Sequence, residues 1–319
     1  MCDRNFTGQQ QPQEVLIYMT ICGSTSVLLN LLVLHIAIAK VNFELRPNQV
    51  FVAGMSFADL CNSFIVLVTG VFYLSYRLLK TCMPVWFCAI WFTAIWSSQV
   101  SSIGFILVLN IDKLIAICNP LRYRAIVTRR RAIWLAFIVF LATLAYGTFA
   151  FHEILGMTGQ ISSCLSVKFM YQQFLVPRRL FFTITNICLL VSPLTLSLVL
   201  SVVIVVLVER LTLRRIVFVF SSTVWTAFTY LPFRITYLVF LYCVSPLDVS
   251  QHGALVGERS TQTNCNLKPF HKINHVVLTL LLTGAMINPL ITIVTQRIYL
   301  DHVKFYFLKI TPEFLKNRR

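Results

Sequence analysis

The sequence predicts an all-α fold, a bundle of seven membrane-spanning helices followed by a short amphipathic helix on the inner leaflet. Three observations carry this. Of 319 residues, 57% are hydrophobic and only 12% charged, about half the charged share usual in a soluble domain. The apolar residues gather in seven runs, each long enough to cross a bilayer at roughly 20 residues. Lys and Arg collect in the connections on one side, as they do in the inner loops of membrane proteins. The net charge of +16 belongs to those loops. No compact basic run interleaved with aromatics sits in a polar domain, so the charge does not point to nucleic acid.

Residues 1–14 form a polar tail rich in Gln, carrying the glycosylation acceptor Asn5-Phe6-Thr7. Such an acceptor works only on the lumenal side. No short apolar core with a small-residue cleavage site follows, so the first span reads as a retained anchor. The spans run approximately Val15–Ala39, Gln49–Tyr73, Val85–Ile117, Arg131–Phe151, Leu180–Val208, Ile216–Tyr242 and Ile273–Ile298. The transmembrane domain is therefore residues 15–298. The charged stretch Glu209 to Arg215 must divide the fifth span from the sixth, because one helix over both would far exceed the membrane. In residues 299–319, Leu300, Val303, Phe307, Ile310 and Phe314 recur at spacings of three and four, with Lys304, Lys309 and Lys316 off that stripe. This is the pattern of a helix lying on the inner leaflet, with Pro312 expected to interrupt its last turn.

Charge sets the orientation. With the N-terminus outside, Arg122, Arg124, Arg129, Arg130, Arg131, Arg210, Arg214, Arg215 and the basic tail all fall inside, as the positive-inside rule requires. Seven is odd, and no broken half-helices occupy matching positions, which speaks against a transporter built from repeats. The six His are scattered, and none lies in a spacing such as His-Glu-x-x-His. No enzyme constellation and no metal site is expected.

Polar side chains inside a membrane are costly and mark function. Asp59 lies within the second span, Asp112 and Lys113 near the inner end of the third, and Arg234 two residues after Pro232 in the sixth. Asn30 and Asn288 add amides in the first and seventh. Arg234 reads either as the anchor of an anionic ligand group, or as a side chain that reaches outward or pairs with Glu153. The outer mouth is mildly basic, with Arg77, Lys80, Lys168, Arg178, Arg179, Lys268 and Lys272 against Glu153, Asp248 and Glu258. Pro193, Pro232 and Pro289 each remove a backbone donor and should kink their helices.

The order of these residues carries a resemblance. Asn30, Ala58-Asp59-Leu60, Asp112 with Ala116-Ile117 and Pro120-Leu121-x-Tyr123, Pro193, Pro232, and Asn288-Pro289 occur as they do in the rhodopsin-like G-protein-coupled receptors. The chain resembles a divergent member. The run Ala116-Ile117-Cys118-x-Pro120-Leu121-x-Tyr123 and the short third inner loop look like the odorant-receptor branch. The resemblance implies a receptor for an extracellular ligand that signals through a heterotrimeric G protein from the cell membrane. The ligand class it favours is a small chemosensory molecule, then a peptide. The pocket would include Arg234, Ile95, Tyr230 and Arg178. Ile95 stands where aminergic relatives keep an Asp, and Leu282 where opsins keep the retinal lysine, so neither a biogenic amine nor retinal is expected.

The resemblance also assigns roles. It implies that Asp59, Ser102, Asn288 and Asn30 form a polar cluster that holds a sodium ion. The alternative is a neutral Asp59 hydrogen-bonded to its neighbours. It implies a disulfide between Cys88 and Cys164, which an oxidising lumen permits. Cys243 and Cys265 flank a long third outer loop that a second bond would close. The coupling switch departs from the family's pattern. Its Asp-Arg-Tyr reads Asp112-Lys113-Leu114, its Asn-Pro-x-x-Tyr ends Asn288-Pro289 to Thr292, the sixth-helix Trp is Tyr230, the fifth-helix Tyr is Ser201, and the fourth-helix Trp is Phe140. Lys113 keeps the charge without the planar fork of arginine. A receptor-like protein that binds without activating a G protein is the rival reading, and a transporter the third.

Overall fold

The computed structural model describes residues 13–79, 83–155, 160–161, 176–207, 217–243 and 267–316. All seven expected spans are helices, and hydrocarbon is the reason. A bilayer offers no partner to a backbone N–H or C=O, so each span must bond to itself. The first four helices are Gln13–Lys40, Gln49–Leu79, Val85–Cys118 and Arg129–Leu155. The fifth runs as Val176–Asn186, a π turn Ile187–Val191, and Ser192–Leu207. The sixth is Val217–Cys243 and the seventh Leu267–Thr295. A single turn, Tyr123–Ile126, joins the third and fourth. Among the described residues the only strands form a two-residue antiparallel pair, Met83 opposite Ile161 and Pro84 opposite Gln160.

The helices close into a ring in which the first packs on the second and seventh, and the fifth and sixth complete the far side. The third helix touches the second, fourth, fifth and sixth, so it forms the axis. Its outer half packs Trp96 and Ile103 with Phe182, Leu194, Tyr230 and Leu281. Its inner half packs Phe105 and Leu109 with Val52, Phe218 and Ile293. Phe140 lies against Phe105, ring centroids 5.0 Å apart. The outward faces of the helices carry Leu28, Phe64, Ile138, Val199, Phe228 and Val294, all exposed, as lipid-facing residues are. A Cβ on Gly23 would lie 2.9 Å from the Leu67 backbone, so Gly23 is what lets the first two helices meet at this distance, the use membrane bundles make of small residues.

Two local features depart from the expectation. The seventh helix stops at Thr295, not Ile298, and the chain bends by 94° into the helix Arg297–Lys316. That helix continues through Pro312 rather than breaking there. Proline holds a helical φ, and the backbone bond it cannot donate is lost outside the hydrocarbon, where water can take the freed carbonyl. Pro193 follows the π turn, so its clash with residue 189 falls where the helix is already widened.

By length and composition alone, five helices among the described residues qualify as membrane spans. The sixth falls short because Ser222, Thr223, Thr226, Thr229 and Arg234 lie along it. All five are at most 2% exposed. Its polar residues face the bundle, so its lipid face is as apolar as the others.

Candidate functional site

The polar residues stack in layers along the axis. In the outer half, Arg234 is 1% exposed. Its guanidinium lies over the Trp96 ring, 4.6 Å from the centroid, and donates through Nη2 to Gln99 Oε1. It does not reach outward. Ile95 lies half-buried against the same outer core, and Tyr230 is fully buried one turn below Arg234. The Arg178 side chain lies outside the described residues, as does the Glu153 side chain.

Below this comes Asp59, 1% exposed. Asn288 Nδ2 donates to Asp59 Oδ2 at 3.4 Å, and Thr226 lies 3.5 Å from the Asn288 amide. Ser102 stands beside the carboxylate. Ser102 Oγ and Asp59 Oδ1 are both buried with no hydrogen-bond partner among the described residues. Asn30 is in a neighbouring group. Its amide donates to Ser26 O at 3.0 Å. Ser26 Oγ lies 2.7 Å from Ala285 O and 2.6 Å from Ser63 Oγ, and Ser63 Oγ lies 2.6 Å from Asp59 O, so the two hydroxyl protons serve two of these three contacts at a time. So Asn30 meets Asp59 only through Ser26, Ser63 and a main-chain carbonyl. The Asp59 pocket fits a small hard cation. It offers the Asp59 carboxylate and the Ser102 hydroxyl beside it, and apart from each other Oδ1 and that hydroxyl bond to nothing among the described residues; a buried carboxylate needs a cation or several donors.

Next is a layer the sequence reasoning missed. Asn110, fully buried, ties three helices together. Its Nδ2 donates to Thr223 Oγ1 of the sixth helix at 2.9 Å and to Ile106 O at 3.0 Å. Its Oδ1 accepts from Ser201 Oγ of the fifth at 2.6 Å. In the sequence Ser201 marks a missing Tyr, and Asn110 stands out by no motif. A fully apolar neighbourhood, Ile106 to Leu109 followed by Ile111, was the available signal that Asn110 needs partners across the bundle.

At the inner end, Lys113 Nζ lies 3.0 Å from Asp112 Oδ2, and Tyr123 donates to Asp112 Oδ1 at 2.7 Å. Burial, then the nearby Asp112 carboxylate, pushes the Tyr123 phenol up from its ordinary value, so it stays a donor at physiological pH. Leu114 is half-buried beside them. Pro289 is buried, and Thr292 turns its hydroxyl back onto Asn288 O at 3.1 Å. The bend after the seventh helix is pinned by Gln49, which donates to Gln296 Oε1 and accepts from Tyr299, each at 3.0 Å. Asn5, Cys164 and Cys265 lie outside the described residues, and so do the side chains of Cys88 and Cys243.

Residues 29–291 match the family described as "7 transmembrane receptor (rhodopsin family)". The chain belongs to this family. It is a G-protein-coupled receptor and a multi-pass membrane protein, and so a receptor rather than an enzyme. It is 33% identical over 299 residues to the G-protein coupled receptor aex-2 of Caenorhabditis elegans, covering 90% of this chain and 81% of that one. It is 28% identical over 141 residues to cannabinoid receptor 1 of Xenopus laevis, and 30% over 139 to that of Taricha granulosa. Those two alignments cover 41% and 43% of this chain, and 29% and 28% of the relatives.

In this receptor the Asn110 layer restrains the inner halves of the third, fifth and sixth helices. A hydrogen bond between helices in a membrane contributes about 0.6 kcal/mol, a factor of about three in a two-state balance. Thr223→Val should therefore raise basal nucleotide exchange about threefold, and Asn110→Leu, which loses both interhelical bonds, up to about tenfold. Exchange on membranes with matched receptor density measures it.

Proposed function

We propose that the receptor sits with its N-terminus outside, binds a small organic ligand between its third, fifth, sixth and seventh helices, and opens its inner end to a heterotrimeric G protein. The observation that carries this reading is the Asn110 layer beneath a buried, chargeable outer site. Three helices meet on one side chain, and it lies between the outer half and the inner end. A ligand that favours a different packing of the sixth helix over the third biases that junction. Separation there would leave Lys113 and the basic turn after the third helix at the inner face. Lys113 offers a point charge rather than a fork, so it positions a partner's acceptor less strictly. The proposed orientation also puts Asn5 and the Cys88–Cys164 pair on the lumenal side, where glycosylation and disulfide formation occur.

Asp59, Ser102 and Asn288 would hold a sodium ion, which would supply the positive charge that a buried carboxylate requires. The bound cation would favour the closed packing, because Asp59 and Asn288 join the second and seventh helices there. Replacing sodium by choline at constant ionic strength should raise basal exchange and lower the Tm of the purified chain. In Asp59→Asn neither should respond. A sodium effect that survives in Asp59→Asn places the ion elsewhere.

A second reading, binding without coupling, is favoured by Lys113 resting on its own Asp112 and by Thr292 resting on its own helix. Lys113→Arg separates the two. Measured as nucleotide exchange across a panel of G proteins, with and without pooled small acids, odorants and peptides, the variant should exceed the parent with at least one G protein. Silence of both chains across the panel, with folded protein at the surface, would favour the second reading.

A further inference from the structure

We infer that Arg234 is the recognition point for a ligand carboxylate carried on an apolar body, a statement that rests on the receptor reading and adds the chemical class of the ligand. Among the described side chains the guanidinium, buried in the outer half of the bundle, meets no acid. The carboxylates whose side chains are described are Glu14, Glu44, Asp59, Asp112 and Asp301. Asp59 engages Asn288, Asp112 engages Lys113 and Tyr123, Glu44 engages Arg129 and Asp301 engages Arg297. Glu14 is in the first turn of the first helix. None meets Arg234.

What surrounds Arg234 is aromatic or neutral. From the third helix come Trp96 under the guanidinium and Gln99 on Nη2. From the sixth come Phe233, 5.3 Å from Cζ, and Tyr237, whose ring packs edge-on against Trp96 at 5.5 Å. From the fifth comes Asn186, which donates to the Arg234 main-chain carbonyl at 3.4 Å and keeps its own Oδ1 unbonded. Nε and Nη1 have no acceptor among the described residues. A guanidinium offers five N–H donors and is always charged. Leaving most of them unmet in a dry site is costly, and one oxyanion cancels both deficits.

A carboxylate fits better than a bulkier, more highly charged anion. Among the described side chains Arg234 is the one cation there, so one negative charge balances it. The core packed around it, Trp96, Phe182, Tyr230, Phe233 and Leu281, is apolar and would face an apolar body. A small organic acid and the C-terminal carboxylate of a peptide present the same chemistry.

The test uses the purified full chain and reads Tm, which needs no G protein. The probes are decanoate against decanamide, 3-phenylpropionate against its amide, and a peptide library with free against amidated C-termini. At a hundred times its dissociation constant, a matching acid should raise Tm by about 5 °C. Its amide should not. Arg234→Gln keeps an amide for Gln99 and should weaken the acid about 100-fold. Without any probe, Arg234→Gln should be at least as stable as the parent, because an unpaired buried charge is gone.

Equal effects of acid and amide overturn the assignment. So does an acid effect that persists in Arg234→Gln, a marked loss of Tm in that variant alone, or a panel in which no carboxylate outdoes its amide. Small acids or peptides being the active arm decides the source. Stabilisation by an acid without nucleotide exchange sinks the coupling reading and leaves this site standing. Exchange driven by neutral compounds, with no carboxylate effect, does the reverse.

Discussion

Hydrocarbon accepts no hydrogen bonds, and the rest of the architecture follows from that constraint. The backbone is forced into helices because each span must satisfy itself. The polar side chains are forced to the axis because only other polar side chains can satisfy them. The third helix passes through every polar layer. Gln99 meets Arg234, Ser102 stands beside Asp59, Asn110 meets the fifth and sixth helices, and Asp112 holds Tyr123. A rearrangement of one layer is therefore carried along a stiff rod to the next.

The layers differ in how completely they are satisfied. Asn110 uses both its donor and acceptor ends across the bundle. Asp59 and Arg234, of opposite charge and on different levels, each keep buried polar atoms unbonded. A saturated layer resists change, whereas an unsaturated one gains from a bound ion or ligand. Among the described residues two unsaturated layers lie outward of the saturated one. The family's pattern puts aromatic hydroxyls at the positions held here by Ser201 and Thr292. Ser201 is too short to cross to another helix end, but it reaches Asn110, and Thr292 bonds its own helix. The restraint thus rests on an amide and two hydroxyls, which are weak enough individually to be overcome by binding.

Much of the fold was legible because spanning length and composition are strong signals. The seven runs, the inner-leaflet helix and the order of Asn30, Asp59, Asp112, Pro232 and Asn288 needed no coordinates. What stayed hidden depended on partners distant in sequence. A single Arg in a span looks the same whether it reaches outward or lies across the bundle, and Arg234 faces Gln99 and Trp96, 135 residues away in the case of Gln99. The end of the seventh helix at Thr295 is fixed by Gln49 and Tyr299, not by a local stop signal. Asn30 carries the right residue type for the Asp59 group, but its bonds go to Ser26 and Ala285. The polar sixth helix is a weak span by composition for the same reason that it is central to the site.

If the inner ends of the third and sixth helices are held together through Asn110, releasing that hold separates them. Pulsed electron resonance measures that separation. One spin label would replace Arg124, just beyond the third helix, and another Val217, at the inner end of the sixth, with the exposed Cys118 and Cys188 removed. The expected result is one short distance in the parent and a growing longer population in Asn110→Leu, or in the parent with a nucleotide-free G protein. An identical distribution in all three samples, with folded protein, would contradict the account.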